Sequence, residues 1–203
     1  SVAKKNNVKI ISFCDDYIIS HSLSSKKTLK FILNTIKRLR KLNIKKYILP
    51  LYGSSKLKLD NRNQIYKNLS IISKECKKNN LNLLIESNMD PNKFKSLKKK
   101  INSKNCYFLF DTGNRILLKN DPVKDIIKFN NDIKHIHLKD KNIHNKNVIF
   151  GQGLVNFKSI FGALKKIKYR GSFTIESQRG KNIKLQATKN YLYFKKLIKE
   201  YKN

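Results

Sequence analysis

The sequence predicts an α/β fold made of six β/α units of the TIM-barrel type. Short apolar runs alternate with longer amphipathic segments along the whole chain, and most of the short runs are almost continuously apolar. Strands that are apolar on both faces are typical of a parallel sheet covered by helices. With 203 residues, 39% of them hydrophobic, the chain can bury a core. We therefore expect a single, partial barrel domain over residues 1–203.

Each strand is predicted from a short apolar run, and each helix from apolar residues recurring every three or four positions. The predicted strands cover residues 8–14, 45–52, 81–86, 106–111, 133–138 and 172–176. The predicted helices cover residues 25–42, 61–79, 92–101, 122–130, 157–168 and 187–201. Signals at the helix ends agree with these ranges: Ser25 is a candidate N-cap, Pro122 suits a first helical turn, and Gly171 is expected to close a helix.

Six units are fewer than the eight that close a TIM barrel, which typically has about 250 residues. Because the chain begins with Ser1 and not with methionine, the two missing units are expected at the N-terminus. The strands near 8–14 and 172–176 would then have unpaired edges, which predicts self-association into a homo-oligomer. A doubly wound sheet of six units is the structural alternative.

The charge of the chain favours an anionic partner at first sight. Lys and Arg number 46 against 13 Asp and Glu, a net charge of +33. However, only six residues are arginine, 25 are asparagine, and lysines occur on nearly every predicted helix, a pattern of genome-wide compositional drift. Arginine is the preferred side chain for reading phosphates and bases. We therefore expect no specific nucleic-acid partner.

The cysteine spacing and the lengths of the apolar runs predict the cellular compartment. The three cysteines, Cys14, Cys76 and Cys106, are widely spaced and form no CxxC pair. This spacing excludes a disulfide framework and a cysteine-rich zinc site, and it suits a reducing compartment. No apolar run approaches the roughly 18 residues of a membrane span. A cytoplasmic location without a membrane partner is expected.

Four consecutive predicted strands carry a potential metal ligand at the carboxyl end. These residues are Glu86, Asp111, His137 and Glu176, in a chain with 13 acidic residues and four histidines. In a barrel, the carboxyl ends of all strands open on one face, where active sites lie. Three carboxylates and one imidazole are a hard donor set that suits Mn²⁺, Mg²⁺ or Co²⁺. The sequence therefore predicts a divalent metal site.

Five motifs resemble those of the sugar phosphate isomerase/epimerase superfamily of xylose isomerase-like TIM barrels: LLIES, FDTGN, IKHIHLKD, FGQGLVNF and YRGSFTIES followed by QRG. DTGN and HLKD followed by GQG are most similar to ketose 3-epimerases. The resemblance implies a metal held by Glu86, Asp111, His137 and Glu176. It also implies acid/base roles for Glu86 and Glu176. The expected reaction is epimerisation or isomerisation of a sugar or sugar phosphate through an enediolate.

Four further residues near these strand ends are expected to bind substrate: Asn114, His135, Lys139 and Asp140. Asn114 stands where some family members have a substrate-binding histidine. Lys139 lies near the position of an arginine found in some epimerases. His135 is two residues before His137 and so points the same way on its strand, either into the site or into the core.

Three alternatives remain open at this point. An endonuclease IV-like DNA repair enzyme resembles this fold and would suit a basic surface, but such enzymes resemble a three-zinc design with many more histidines. An inosose-type dehydratase of the same superfamily would begin with the same proton abstraction. An inactive fragment is the third alternative, and only the intact ligand set argues against it.

Overall fold

The computed structural model describes residues 2–118, 121–178 and 180–202. The chain divides into two compact units, Ser1–Tyr107 and Phe108–Asn203. Arg179, in the predicted QRG motif, lies outside the described residues. The expected single domain stays a prediction.

The first unit contains three complete strands and five helices among its described residues. In chain order these are α1 (Val2–Lys5), β1 (Ser12–Cys14), α2 (Tyr17–Ser20), α3 (Lys26–Leu39), β2 (Lys46–Pro50), α4 (Arg62–Lys78), β3 (Asn82–Glu86) and α5 (Pro91–Lys100). β2 pairs in parallel with β1 and with β3. The fourth strand, β4 (Cys106–Asp111), begins here and ends in the second unit.

The second unit continues the alternation of strands and helices. It contains α6 (Thr112–Ile116), α7 (Pro122–Phe129), β5 (Ile133–Leu138), α8 (Phe157–Lys166), β6 (Ser172–Ile175) and α9 (Ile183–Lys202). β5 pairs in parallel with β4 and with β6. Within each unit the strands follow chain order, without the reversal that defines a doubly wound sheet. The prediction of six parallel β/α units is confirmed.

The interior strands have the buried, apolar character that the sequence predicts. Leu83, Leu84 and Ile85 of β3 are fully buried. On α3, Ile32 and Ile36 are four residues apart and fully buried, so one face of this helix packs into the core. Ser25 caps α3, because its side chain accepts a hydrogen bond from the Lys27 N–H at 3.2 Å.

The first strand is shorter than predicted. Residues 8–11 were expected in it, but β1 covers only Ser12–Cys14, and Val8 and Ile10 are exposed. Among the residues that the structure describes, β1 pairs with β2 on one side only, so no second strand buries the residues before it. Within the described part of the second unit, β6 likewise pairs only with β5. Self-association through these edges stays a prediction.

Helix ends differ from the prediction at Gly171. The helix α8 ends at Lys166, and Lys168 adopts the left-handed conformation, with φ +52°, that Gly171 was expected to supply. Gly171 packs against a ring instead, since a Cβ there would lie 2.2 Å from the Tyr169 hydroxyl oxygen. Asparagine takes the left-handed position after other helices, as at Asn43 and Asn80, because its short polar side chain tolerates this conformation. The short helices α1, α2 and α6 were not predicted.

Candidate metal centre and active site

Three of the four predicted metal ligands, Asp111, His137 and Glu176, form a polar cluster with Lys139 in the second unit. Lys139 Nζ lies 2.9 Å from Asp111 Oδ2 and 2.8 Å from Glu176 Oε2. His137 Nδ1 lies 3.0 Å from Glu176 Oε1. The side chains of Asp111 and His137 are 1% and 4% exposed, whereas that of Glu176 is 37% exposed. The second unit thus has two carboxylates and an imidazole within reach of one cation.

Strand register brings these residues together. Asp111 is the last residue of β4 and pairs in register with His137 of β5. Glu176 directly follows β6, and its N–H donates to the Leu138 carbonyl at 2.9 Å. Because the three strands are parallel, their carboxyl ends lie at the same edge of the sheet. Long-range pairing, and not local sequence, therefore assembles the cluster.

The electrostatics of Lys139 reflect these neighbours. Burial alone would lower the pKa of this ammonium group. The Coulombic attraction of Asp111, together with hydrogen bonds to Glu176 and Asp111, outweighs burial and raises the Lys139 pKa above its ordinary value. Lys139 is therefore a permanent cation between two carboxylates at neutral pH.

The DTGN motif positions Asp111 and the backbone of Lys139. The Asp111 Oδ1 atom accepts a hydrogen bond from the Asn114 N–H at 2.7 Å and so caps α6. The Thr112 hydroxyl donates to the Lys139 carbonyl at 2.7 Å and accepts from the Lys139 N–H at 2.9 Å. A Cβ at Gly113 would lie 2.9 Å from Lys139 Cγ. The motif therefore orients Asp111 and makes room for the lysine.

Asp140 has a structural position that the substrate-binding prediction did not anticipate. Its buried carboxylate accepts hydrogen bonds from the N–H groups of Gly151, Gly153 and Val155 at 3.0, 3.0 and 3.1 Å. It also accepts from the Lys141 N–H at 3.0 Å. A Cβ at Gly153 would lie 2.1 Å from Asp140 Oδ1, which explains the second glycine of GQG. Asp140 organises this loop, and its substrate role stays a prediction.

His135 is a core histidine. It is fully buried, and its two ring nitrogens contact the hydroxyl oxygens of Ser172 at 2.5 Å and Thr174 at 2.8 Å. Its ring lies on the same side of β5 as that of His137, with centroids 5.4 Å apart. Both ring nitrogens are thus engaged with β6, so the core alternative fits His135 better than substrate binding.

Two predicted residues remain, Glu86 and Asn114. Glu86 is the last residue of β3 in the first unit, where it is 6% exposed and its carbonyl accepts from the Leu51 N–H at 2.8 Å. Asn114 is half-buried in α6 of the second unit. The substrate role of Asn114 stays a prediction.

Sequence reasoning missed one strand-end carboxylate. Asp15 directly follows β1, is 4% exposed, and accepts a short hydrogen bond from the Tyr47 hydroxyl. Burial, with the nearby Asp15 charge, raises the Tyr47 pKa far above its ordinary value, so the phenol stays neutral. The signal was a carboxylate at the end of a strand, as at Glu86. The strand predicted over residues 8–14 also ends directly before Asp15, so this signal was visible in the sequence.

The donors of the second unit fit a divalent cation by their chemistry. Two carboxylates and one imidazole are hard ligands. The Lys139 ammonium, placed between Asp111 and Glu176, shows that the site already accommodates positive charge.

Within the described ranges, none of the helices combines the length and apolar character that crossing a bilayer requires.

These features define a class of protein: parallel β/α units with a polar cluster at the carboxyl ends of the strands. The chain belongs to the xylose isomerase-like TIM barrel family, whose model matches residues 1–197. The expected family resemblance and fold class are thereby confirmed. The six β/α units fall short of the eight that close such a barrel.

Relatives in sequence and structure agree with this family. The inosose dehydratase of Clostridium tetani is 31% identical over 36% of this chain, a match that spans 30% of that relative. A xylose isomerase domain protein from Planctomyces limnophilus superimposes with a TM-score of 0.81 at 15% identity, covering 98% of this chain and 80% of that one. A D-tagatose 3-epimerase-like protein gives 0.81 at 22% identity, covering 99% and 81%. At these identities the two structures establish the fold.

Proposed function

We propose that this chain is a divalent-metal-dependent epimerase or isomerase that moves a proton at the carbon beside a ketose carbonyl. The observation that carries the proposal is the cluster of Asp111, His137 and Glu176 around the Lys139 ammonium. Membership of a family whose structural relatives include a D-tagatose 3-epimerase-like protein supports a sugar or sugar phosphate as the substrate class.

The metal would be held by four side chains: Glu86, Asp111, His137 and Glu176. In a TIM barrel, active sites form at the carboxyl ends of the strands, and each of these residues stands at such an end. A bound Mn²⁺, Mg²⁺ or Co²⁺ would supply Lewis-acid stabilisation of negative charge on substrate oxygens. Lys139 would add a fixed positive charge beside Asp111 and Glu176.

Glu86 and Glu176 would carry the proton transfer. One carboxylate removes the proton from the carbon beside the carbonyl. The electron pair of that C–H bond forms a carbon–carbon double bond, and the π electron pair of the carbonyl moves onto its oxygen to give an enediolate. The other carboxyl group then returns a proton to the opposite face of the same carbon, which inverts the centre. If the proton is removed from C1, its return to the former carbonyl carbon, with transfer of the C1 hydroxyl proton to the C2 oxygen, gives the aldose–ketose isomerisation instead.

The test follows deuterium incorporation from D₂O into a panel of ketoses and ketose phosphates. The full chain should exchange the proton beside the carbonyl only when Mn²⁺, Mg²⁺ or Co²⁺ is present. Glu86→Gln and Glu176→Gln should each reduce the exchange rate by about 10²- to 10⁴-fold, the effect expected for a lost acid/base group. Glu200→Gln, on the exposed side of α9, is the matched control and should exchange normally.

The label position separates the outcomes. Deuterium at C1 with accumulation of aldose would identify an isomerase. Metal binding without exchange across the panel would contradict the proposal for those sugars.

A dehydratase is the second candidate, and the match to an inosose dehydratase favours it specifically. The reaction would begin with the same proton abstraction, and the electron pair would then expel a neighbouring hydroxyl group, which leaves as water. Incubation with an inosose, followed by mass spectrometry, would show loss of one water molecule. Epimerisation leaves the mass of the substrate unchanged.

A further inference from the structure

A cavity of about 740 Å³ lies within the first unit, at the carboxyl ends of β2 and β3. Leu51 and Tyr52 follow β2, and Ser87 and Asn88 follow β3, on the walls of this cavity. Ser87 is the neighbour in sequence of Glu86, which we propose as an acid/base residue. A volume of this size is within the range of small-molecule sites. The cavity therefore lies at the strand end that carries a proposed reacting group, although Glu86 itself is not among its lining residues.

The cavity is lined by cationic side chains and, among its described lining residues, by no acidic one. The basic residues are Lys56, Lys58, Arg62 and Lys93. Lys93 is also 3.2 Å from Asp90 Oδ2, so it is shared with the cap of α5. Lysine is common over this whole chain, and positive charge alone would not mark a site.

Three further features distinguish this cluster from the lysines of the surface. Arg62 is one of only six arginines in the chain, and its guanidinium fork suits bidentate recognition of phosphate oxygens. The hydroxyl groups of Tyr66, Ser87 and Ser96 add neutral donors to the same walls. The cationic side chains also converge on one concavity, where their fields add.

We infer that this cavity binds the phosphate group of a phosphorylated ketose, with Arg62 and Lys56 as its principal cations. The inference rests on the proposed function and specifies its substrate class: a sugar phosphate whose carbonyl end is turned toward Glu86. A phosphomonoester carries close to two negative charges at neutral pH and three acceptor oxygens. The cavity offers the complementary set of cations and hydroxyl donors.

Binding is tested with inorganic phosphate and with D-fructose 6-phosphate against D-fructose, by titration calorimetry on the full chain in EDTA. Phosphate and the sugar phosphate should bind saturably. The double substitution Arg62→Gln with Lys56→Gln should raise both dissociation constants by at least about tenfold, as expected for the loss of charge-assisted hydrogen bonds.

Arg38→Gln with Lys74→Gln is the matched control. It removes the same two charges from the exposed sides of α3 and α4, and it should change the dissociation constants by less than about twofold. Circular dichroism checks that both double variants fold alike. Equal weakening in both would show that binding follows net charge alone and would overturn the inference.

The outcomes keep the inference separate from the proposed function. Arg62-dependent phosphate binding without metal-dependent exchange would support the cavity and contradict the proposed reaction. Metal-dependent exchange of free ketoses without phosphate binding would do the reverse. Nanomolar binding of duplex DNA containing an abasic site, lost in the Arg62→Gln, Lys56→Gln chain, would overturn the sugar phosphate in favour of nucleic acid.

Discussion

Asp111 and Asp140 are both buried aspartates near strand ends of the second unit, and their carboxylates face different partners. Asp111, the last residue of β4, contacts the Lys139 ammonium and caps α6 through one N–H group. Asp140, two residues after β5, accepts from four backbone N–H groups, three of them in the loop of Gly151 to Val155. The Asp111 carboxylate contacts a side-chain ammonium, whereas the Asp140 carboxylate accepts hydrogen bonds from backbone N–H groups.

This difference separates a site from its support. A carboxylate whose partner is a side-chain ammonium can exchange that partner for a metal or a substrate when the side chain moves. A carboxylate bound by backbone donors cannot do so without unfolding its loop, since each buried donor left unpaired costs about 1–3 kcal/mol. Asp111 is therefore expected to act on ligand affinity and Asp140 on stability.

The largest expected effect is on the affinity for metal in Asp111→Asn. The amide oxygen can still cap α6, but one anionic ligand is lost. We expect the dissociation constant for Mn²⁺ to rise at least about 100-fold, or about 2.7 kcal/mol. The free energy of unfolding in EDTA should fall by only about 1 kcal/mol, because Lys139 keeps its ion pair with Glu176. Metal titration and urea denaturation give the two numbers. A destabilised apoprotein with intact metal affinity would contradict the assignment of Asp111.

The converse is expected for Asp140→Asn. The amide group retains one acceptor oxygen for four N–H donors, so the free energy of unfolding should fall by about 2 kcal/mol. Amide hydrogen exchange should accelerate at Gly151, Gly153 and Val155, while the dissociation constant for Mn²⁺ should change by less than about threefold. If metal affinity fell as far as in Asp111→Asn, the distinction between the two aspartates would fail.

Lys139→Met tests the ammonium group that lies between the Asp111 and Glu176 carboxylates. It leaves the Asp111 and Glu176 carboxylates next to each other without their ammonium. Because the Glu176 side chain is 37% exposed and water screens its charge, we expect a loss of only about 1.5 kcal/mol in EDTA, below the cost of breaking a fully buried pair.

The same variant should be rescued by metal. Saturating Mn²⁺ should reduce the difference in unfolding free energy, because the ion binds the folded state and replaces the lost charge. Lys146→Met, an exposed lysine of the following loop, should lose no stability and gain no extra protection from Mn²⁺. A Lys139→Met chain as stable as the parent in EDTA would show that the ammonium does not hold the site together.

The strands and Asp111 were predictable because their signal is local. Continuous apolar runs mark β3 to β5, and a polar residue at the end of each run is visible in the sequence. The role of Asp140 was not predictable, because its donors come from residues 11 to 15 positions later in a loop without periodicity. The length of β1 was overestimated, because Val8 and Ile10 are exposed and, among the described residues, β1 pairs only with β2.

The interior of the second unit shows the same limit. His135 and His137 are two residues apart on β5, so the sequence places both on the same face of the strand. Only the contacts of His135 with the hydroxyl groups of Ser172 and Thr174 on β6 distinguish the two. The cavity of the first unit was not predicted either, because its walls combine the segment from Leu51 to Tyr66 with the segment from Ser87 to Ser96, which only the fold brings together. Patterns along the chain predict elements, whereas contacts between elements decide which polar residues are available for function.

Asp90 provides the smallest test of the comparison, as a carboxylate held both by backbone and by a lysine. It caps α5 by accepting from the Lys93 N–H at 2.9 Å, and its Oδ2 lies 3.2 Å from Lys93 Nζ. Partial burial alone would raise the Asp90 pKa, but the hydrogen bonds and the charge of Lys93 outweigh it and lower the pKa.

A lowered folded-state pKa stabilises the protein at pH values above the unfolded-state pKa of about 3.9, and this stabilisation is lost as the pH falls through the folded-state pKa. Asp90→Ala should therefore cost about 1 kcal/mol at pH 7, and the difference from the parent should shrink as the pH falls below about 4. Urea denaturation from pH 7 to pH 3 measures this difference in unfolding free energy. Asp60→Ala, in an exposed loop, is the control. A difference that does not change with pH would mean that the Asp90 charge does not contribute to the cap.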